Sequence, residues 1–469
     1  MTGVLVAVGP RWDSRLATAV EAARDLELTR RCPDLADLLA AAAAGLGRVA
    51  VVSDDLRGLD LTVVATLRGH GVEVVGAGTP GEESSERRLR QLGVEVVVPA
   101  DTTSTDLALA VDRALAGAAG SPGSTLLPGP GHPHDPADPP GRPGGGGPSA
   151  HPTGHGSDRA VRGGGAGPGD PSPGADDGSP DDPRPEGVGI APATGRVVVV
   201  WGPTGAPGRT SVALNLAAEA AGLGVPTLLV DADTYGASVA QALSLLDEAP
   251  GVAAATRAAD QGTLDLPVLA RLTPQVLPGL RVLTGLPRAE RWPELRPAAV
   301  ERVLQVARLL AALVVVDIGF NLEDDEELSY DTLAPRRNGV ALAALAAADE
   351  VVAVGAGDPV GLQRLVRGLQ SLSAVGTPPP QVVVNRLRAS AVGPGPQAEV
   401  TAALERFAGV TPVAVVPDDA AAFDAALLTG RVLAEAAPTS PARTALRALA
   451  ARLARVEAPA RRRRARLGR

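Results

Sequence analysis

The stretch from Gly202 to Ser211, Gly-Pro-Thr-Gly-Ala-Pro-Gly-Arg-Thr-Ser, constrains this chain more than any other. It follows a run of valines ending in Trp201 and precedes an alanine- and leucine-rich segment. A strand, a glycine-rich turn and a helix in that order aim backbone N–H groups and the positive end of a helix at one point, which is the geometry that receives a phosphate. Gly208-Arg209-Thr210-Ser211 stands where a phosphate loop has Gly-Lys-Thr or Gly-Lys-Ser, with Gly205, Ala206 and Pro207 completing the turn. Two positions depart from the strict pattern: Pro203 replaces its first glycine and Arg209 its lysine. The 469 residues contain no lysine at all, and the 44 basic residues are all arginine. The loop therefore binds phosphate through arginine and backbone, or it is a plain strand-to-helix turn.

Composition excludes several function classes. A net charge of −9 argues against a general nucleic-acid binder, because a polyanion needs a basic face. The single cysteine, Cys32, excludes a disulfide framework and any multi-cysteine metal site within the chain. Four of the five histidines (His132, His134, His151 and His155) fall in a proline- and glycine-rich stretch, which leaves little for a histidine site in a folded core. Aromatic residues make up only 2%, so the cores are built from Ala, Val and Leu. The start of the chain has neither a charged n-region nor a long apolar segment, and no uncharged apolar run reaches about 18 residues. A cytoplasmic protein is expected, with peripheral membrane contact open through its C-terminal tail.

Length and composition shifts divide the chain. Residues 1–117 alternate short apolar strands (4–8, 48–53, 72–75 and 94–98) with helical segments, the pattern of a small parallel α/β domain. Residues 118–194 are dominated by Gly, Pro, Asp, Ser and His and cannot bury enough apolar area to offset their ordering entropy. A disordered linker is expected there, spanning roughly 50 Å r.m.s.. Residues 195–457 form the larger α/β domain, with strands expected at 197–201, 227–230, 280–284, 313–316, 351–354, 381–384 and 413–416. Several are continuous Val/Leu runs, as strands buried on both faces require. Residues 458–469 form a tail with six arginines in its last nine residues.

Carboxylates close two of these strands. Asp231-Ala232-Asp233 ends the strand at 227–230, and Asp317 ends a run of valines. Carboxylates at such strand ends can hold a Mg²⁺ or its water, or orient an attacking water. Each alone is equally readable as a cap. Three of them after one phosphate loop, in this order, form a set.

That ordered set resembles the MinD/ParA family of deviant-Walker ATPases. The resemblance covers residues 195–457 and continues through Ala348-Asp349-Glu350, Val384-Asn385-Arg386, Val415-Val416-Pro417-Asp418-Asp419 and Leu428-Thr429-Gly430-Arg431. It implies a three-layer P-loop NTPase fold with a mostly parallel sheet, binding ATP and Mg²⁺. Gly205 to Ser211 would meet the phosphates, and Thr210, Asp233 and Asp317 would hold Mg²⁺. Asp231, Asp233 and Arg209 are the catalytic candidates, and Asn385 and Pro417 would contact the adenine. It also implies a nucleotide-dependent homodimer. Residues 1–117 resemble a receiver domain, with Asp54 and Asp55 at the phosphoacceptor position. Gly9-Pro10 stands where the acidic pair belongs, and the lysine is missing, so a pseudo-receiver is expected. Receiver-like domain, linker and ATPase together resemble the CpaE/TadZ subgroup, whose members place Flp/Tad pilus or septum-related machinery at cell sites. A protein partner from pilus or division machinery is implied.

The family's second lysine, which reaches the partner's nucleotide across the dimer, is replaced by Thr204, which predicts weak or absent hydrolysis. Arg336 and Arg337 could supply the missing cation, or form a solvated surface loop. The arginine tail could meet anionic membrane or nucleic acid, although Leu467 is its only large apolar residue. A non-hydrolysing scaffold and a ParA-type partitioning ATPase remain the rival readings. Iron–sulfur carriers of the superfamily require paired cysteines and are excluded.

Overall fold

The computed structural model describes residues 1–120, 195–205, 208–245, 251–323 and 335–456. The expected linker from residue 121 onward, the tail, and the loop residues Ala206 and Pro207 lie outside the described residues.

Residues 1–120 build a five-stranded, all-parallel sheet from β1 (Thr2–Ala7), β2 (Leu26–Arg31), β3 (Val49–Ser53), β4 (Glu73–Gly78) and β5 (Val96–Pro99). The strand order is β2-β1-β3-β4-β5, the flavodoxin-like doubly wound order. Helices α1 (Asp13–Glu21), α2 (Leu35–Ala43), α3 (Leu61–Gly69), α4 (Glu83–Gln91) and α5 (Ser104–Gly120) make the crossovers. The period-2 alternation of β1 divides the core. Leu5 and Ala7 join one apolar cluster and Val4 and Val6 the other. Asp34 and Asp60 cap α2 and α3, each side chain accepting from the backbone N–H three residues on.

The second sheet has eight strands: β6 (Arg196–Trp201), β7 (Thr227–Ala232), β8 (Gln275–Leu277), β9 (Leu280–Leu283), β10 (Leu313–Ile318), β11 (Glu350–Ala356), β12 (Gln381–Leu387) and β13 (Ala414–Pro417). Their order is β13-β12-β11-β6-β10-β7-β9-β8, and every pairing is parallel except the β8–β9 hairpin at the edge. Around it run α6 (Arg209–Gly222), α7 (Val239–Ala242), α8 (Gly251–Asp260), α9 (Leu266–Leu272), α10 (Pro297–Leu310), α11 (Gly339–Ala346) and α12 (Pro359–Ala374). Then follow α13 (Ala389–Val392), α14 (Pro396–Ala408), α15 (Ala420–Thr429), α16 (Leu433–Ala436) and α17 (Pro441–Ala454). On β6, Val197, Val199 and Trp201 face the α8, α10, α11 and α12 layer, while Val198 and Val200 face α6 and α17. All five are buried, which is why the strand reads as an unbroken apolar run. This is the three-layer, mostly parallel α/β architecture expected from the sequence.

Helix α3 meets α8 and α10 of the larger sheet's domain. Arg296 pairs with Asp60 at 2.7 Å, and the Thr62 hydroxyl donates to Asp260 at 3.3 Å. Burial pushes the Asp260 carboxyl up to about 6, opposed by Arg296 and reinforced by Asp60. Ala298 on α10 packs into the apolar cluster under α2 and α3, so the two sheets belong to one compact unit.

Candidate functional site

Because β6, β7, β10, β11, β12 and β13 all run the same way, their C-terminal ends lie along one edge of the sheet. In open α/β sheets this is the edge that binds ligands. Asp317 pairs in register with Asp231 on one side and with Val200, one residue before Trp201, on the other. The two carboxylates are therefore neighbours on adjacent strands, directly beside the root of the glycine-rich loop. Asn385, near the end of β12, and Pro417, at the end of β13, stand farther along the same edge.

The loop enters α6 through Gly208 at φ +90°, a left-handed conformation that favours glycine. A Cβ there would also fall 2.3 Å from the Asn385 Nδ2 atom. Glycine at this position thus lets the buried Asn385 amide approach the loop closely. Thr210 and Ser211 follow in the first turn of α6, and the Ser211 carbonyl accepts from Asn215 at 2.8 Å.

The three carboxylates divide their work unequally. Asp231 is buried, and its oxygens accept from the backbone N–H groups of Ser238 and Val239, both at 3.0 Å, and of Asp233 at 3.3 Å. It fixes the turn that carries Asp233. Burial raises its carboxyl to about 6 against the pull of those N–H donors. Asp233 accepts through Oδ1 from Tyr235 N at 2.8 Å and Gly236 N at 3.2 Å, and its Oδ2 holds the Arg209 guanidinium at 3.3 Å. Asp317 differs. It is buried, and among the described residues neither oxygen meets a partner in hydrogen-bond geometry. Burial first and the neighbouring Asp231 second hold its carboxyl well above the ordinary range, while the nearby Thr210 hydroxyl and Arg209 oppose the shift.

Arg209 is mostly buried. Besides Asp233 it donates to the Gly202 carbonyl at 3.4 Å, and its guanidinium lies 6.0 Å from the Phe320 ring centre. It is folded back along the loop, where an extended cation would serve a phosphate. Arg337 is a correction to the solvated-loop expectation. Its guanidinium stacks on the Tyr235 ring at 3.9 Å and donates to the Thr234 carbonyl at 3.3 Å. The Tyr235 hydroxyl donates to Asn338 at 2.7 Å, and its ring meets Phe320 at 5.0 Å. The segment after Asp233 and the segment after Asp317 are thereby joined through one aromatic cluster. Nothing in the local pattern of either segment announces that junction.

The set of residues fits a nucleotide with Mg²⁺. Positive-φ glycines shape the loop, and Asp317 is an orphaned buried carboxylate beside a threonine hydroxyl. Mg²⁺ takes one or two carboxylates and completes its shell with phosphate and water, a donor set that Asp317 and the Thr210 hydroxyl could supply.

No family model matches the chain, and no curated protein matches it. Solved structures do resemble about half of it. A ParA family ATPase from Chlorobium tepidum is 20% identical, over 54% of this chain and 98% of that one, at a TM-score of 0.46. The cell division ATPase MinD of Pyrococcus furiosus is 19% identical, over 56% and 99%, at 0.45. The septum site-determining protein MinD complexed with Mg-ADP, from Pyrococcus horikoshii, is 19% identical, over 55% and 96%, at 0.43. Among the described residues, no helix is long and apolar enough to cross a membrane.

Proposed function

We propose that residues 195–457 bind ATP with Mg²⁺ and that the chain is a nucleotide-dependent spatial organiser of the MinD/ParA type, organised like the CpaE/TadZ subgroup. The observation that carries this reading is the glycine-shaped loop at the head of α6 facing the buried Asp317 carboxylate, with the Thr210 hydroxyl beside it. The backbone N–H groups at the start of α6 and Arg209 would hold phosphate, and Thr210 and Asp317 would hold Mg²⁺, which when bound neutralises phosphate charge. Asp231 and Asp233 shape the turn beside them, and Asp233 restrains Arg209. Asn385 can both donate to and accept from a base edge, and Pro417 closes the neighbouring strand β13, in register with Leu387. Nucleotide would favour a homodimer, and the first domain would recruit a partner from pilus or division machinery.

Calorimetry on the full chain is the test. Mg-ATP is expected to bind, and Arg209→Ala to weaken it by about 1.5–3 kcal/mol, the scale of a charge-assisted contact. A wild-type chain that takes up no nucleotide would refute the reading. The non-hydrolysing scaffold is the second reading, supported by the way Asp233 and the Gly202 carbonyl hold Arg209 back.

For the first domain we propose a pseudo-receiver. Asp55 turns back toward Gly9, where a Cβ would meet its carboxylate, and the Ser53 hydroxyl bridges it to the Gly9 N–H at 2.5 and 2.7 Å. Asp54 accepts from the Thr79 hydroxyl at 3.2 Å, and Arg88 donates to its backbone carbonyl. With no acidic pair to hold a cation, acetyl phosphate is expected to leave Asp54 and Asp55 unmodified. Intact-mass analysis checks this, and a stable phosphoryl adduct at either residue would refute the pseudo-receiver.

A further inference from the structure

Helix α12 lies against the first half of the glycine-rich loop. Gly368 permits the approach: a Cβ there would stand 2.9 Å from the Trp201 ring and 3.0 Å from the Pro203 side chain. Four residues earlier, on the same face of the helix, Arg364 reaches Gly205. A Cβ built on Gly205 would lie 2.0 Å from the Arg364 Nη1 atom and 3.1 Å from its Cζ. Gly205 also sits at φ +67°. The position is thus closed to other residues twice, by backbone conformation and by the guanidinium laid over it.

The two arginines at the loop are in opposite states. Arg209 is mostly buried and held by Asp233 and the Gly202 carbonyl. Arg364 is exposed and has neither a hydrogen bond nor an ion-pair partner among the described residues. It is an unneutralised fork of N–H donors resting on a loop shaped for an anion, where bidentate phosphate contact suits arginine. The backbone N–H groups of such a loop cradle the inner phosphates, and a basic side chain reaches past them to the terminal one. Gly205 lies in the outer half of the loop, next to Thr204 and away from the start of α6.

We propose that Arg364 binds the terminal phosphate of the nucleotide from within the same chain, supplying the charge that Thr204 cannot. This rests on the nucleotide reading above. It makes Arg364 a specificity residue that distinguishes a triphosphate from a diphosphate.

Calorimetry on the full chain with a non-hydrolysable ATP analogue and with ADP, both with Mg²⁺, tests it. Arg364→Ala is expected to weaken the analogue by about tenfold or more, the scale of one charge-assisted contact, and to change ADP by less than about threefold. Arg364→Lys recovers part of the loss, because it restores the charge without the fork. Arg367→Ala, on the same helix but lining the groove against α14, leaves both affinities at the wild-type level. Because Arg364 makes no internal hydrogen bond, its truncation leaves the melting curve unchanged. An alanine variant that binds the analogue as tightly as wild type, or loses both nucleotides equally, overturns the proposal. A wild type that binds neither nucleotide overturns the nucleotide reading itself, and this proposal with it.

Discussion

Asp317→Asn is expected to raise the stability of the nucleotide-free chain and to abolish the contribution of Mg²⁺ to ATP binding. Gain and loss come from the same two oxygens. A buried carboxylate without hydrogen-bond donors costs folding free energy whenever it is ionised. Its folded pKa is raised, so the stability it leaves intact is present below the unfolded value near 3.8 and is lost as pH rises through the folded value. An amide has no charge to desolvate, so the variant escapes that loss. The expected gain is about 1.4 kcal/mol for each unit by which burial displaces the carboxyl, less what the buried amide costs in its place, and each kcal/mol is worth roughly 2–4 °C in Tm for a domain of this size. It should fade toward pH 4, where wild-type Asp317 is protonated. The same substitution removes the only one of the three carboxylates with both oxygens uncommitted, so Mg-ATP should then bind no more tightly than ATP with a chelator. Melting curves from pH 4 to 8 and calorimetry with and without Mg²⁺ measure both effects. Unchanged Tm together with intact Mg²⁺ dependence would show that Asp317 is a passive strand end.

The sequence made some parts of this site legible and concealed others, for physical reasons. Strands β6 and β10 stand out because both faces are buried and every position is apolar. Strand β2 does not: Leu-Glu-Leu-Thr-Arg-Arg is an edge strand with most of its side chains at the surface, so neither an apolar run nor clean alternation marks it. Helix α1 is short, and its N-cap, Trp12, makes no side-chain cap. The antiparallel β8 is three residues long. At the site, Asp231, Asp233 and Asp317 are readable because strand-end acids after a phosphate loop form an ordered pattern along the chain. Their division of labour is not readable. It depends on which amides the turn at 238–239 delivers to Asp231 and on where Arg209 folds. Arg364 could not be found from sequence, since it reaches the loop only through the packing of Gly368 against Trp201 and Pro203.

Phosphate release by the wild-type chain is expected to be slow, and Arg209→Lys is expected to raise it by about 10²-fold, the scale set by one preorganised group acting on transition-state charge. A cation that meets charge only as it develops on the transferring phosphoryl group accelerates turnover more than it tightens binding. Arg209 is poorly placed for that task, because it must first leave Asp233 and the Gly202 carbonyl. Lysine in its place is a compact point charge on a flexible stem, free of the planar fork that lies along the loop. Thr204→Lys is the less rewarding change. It sets a second cation beside Arg364, so the double variant should exceed Arg209→Lys by little, whereas an empty outer half of the loop would make the two lysines strongly synergistic. Pro203 and Pro207 limit every variant, since each withdraws an N–H that a phosphate cradle would use. Phosphate release by the wild type, both single variants and the double variant decides this, with Asp317→Ala as the contamination control. Rapid wild-type turnover that disappears in the control would mean that arginine suffices at position 209 and that the contact with Asp233 is broken whenever nucleotide binds.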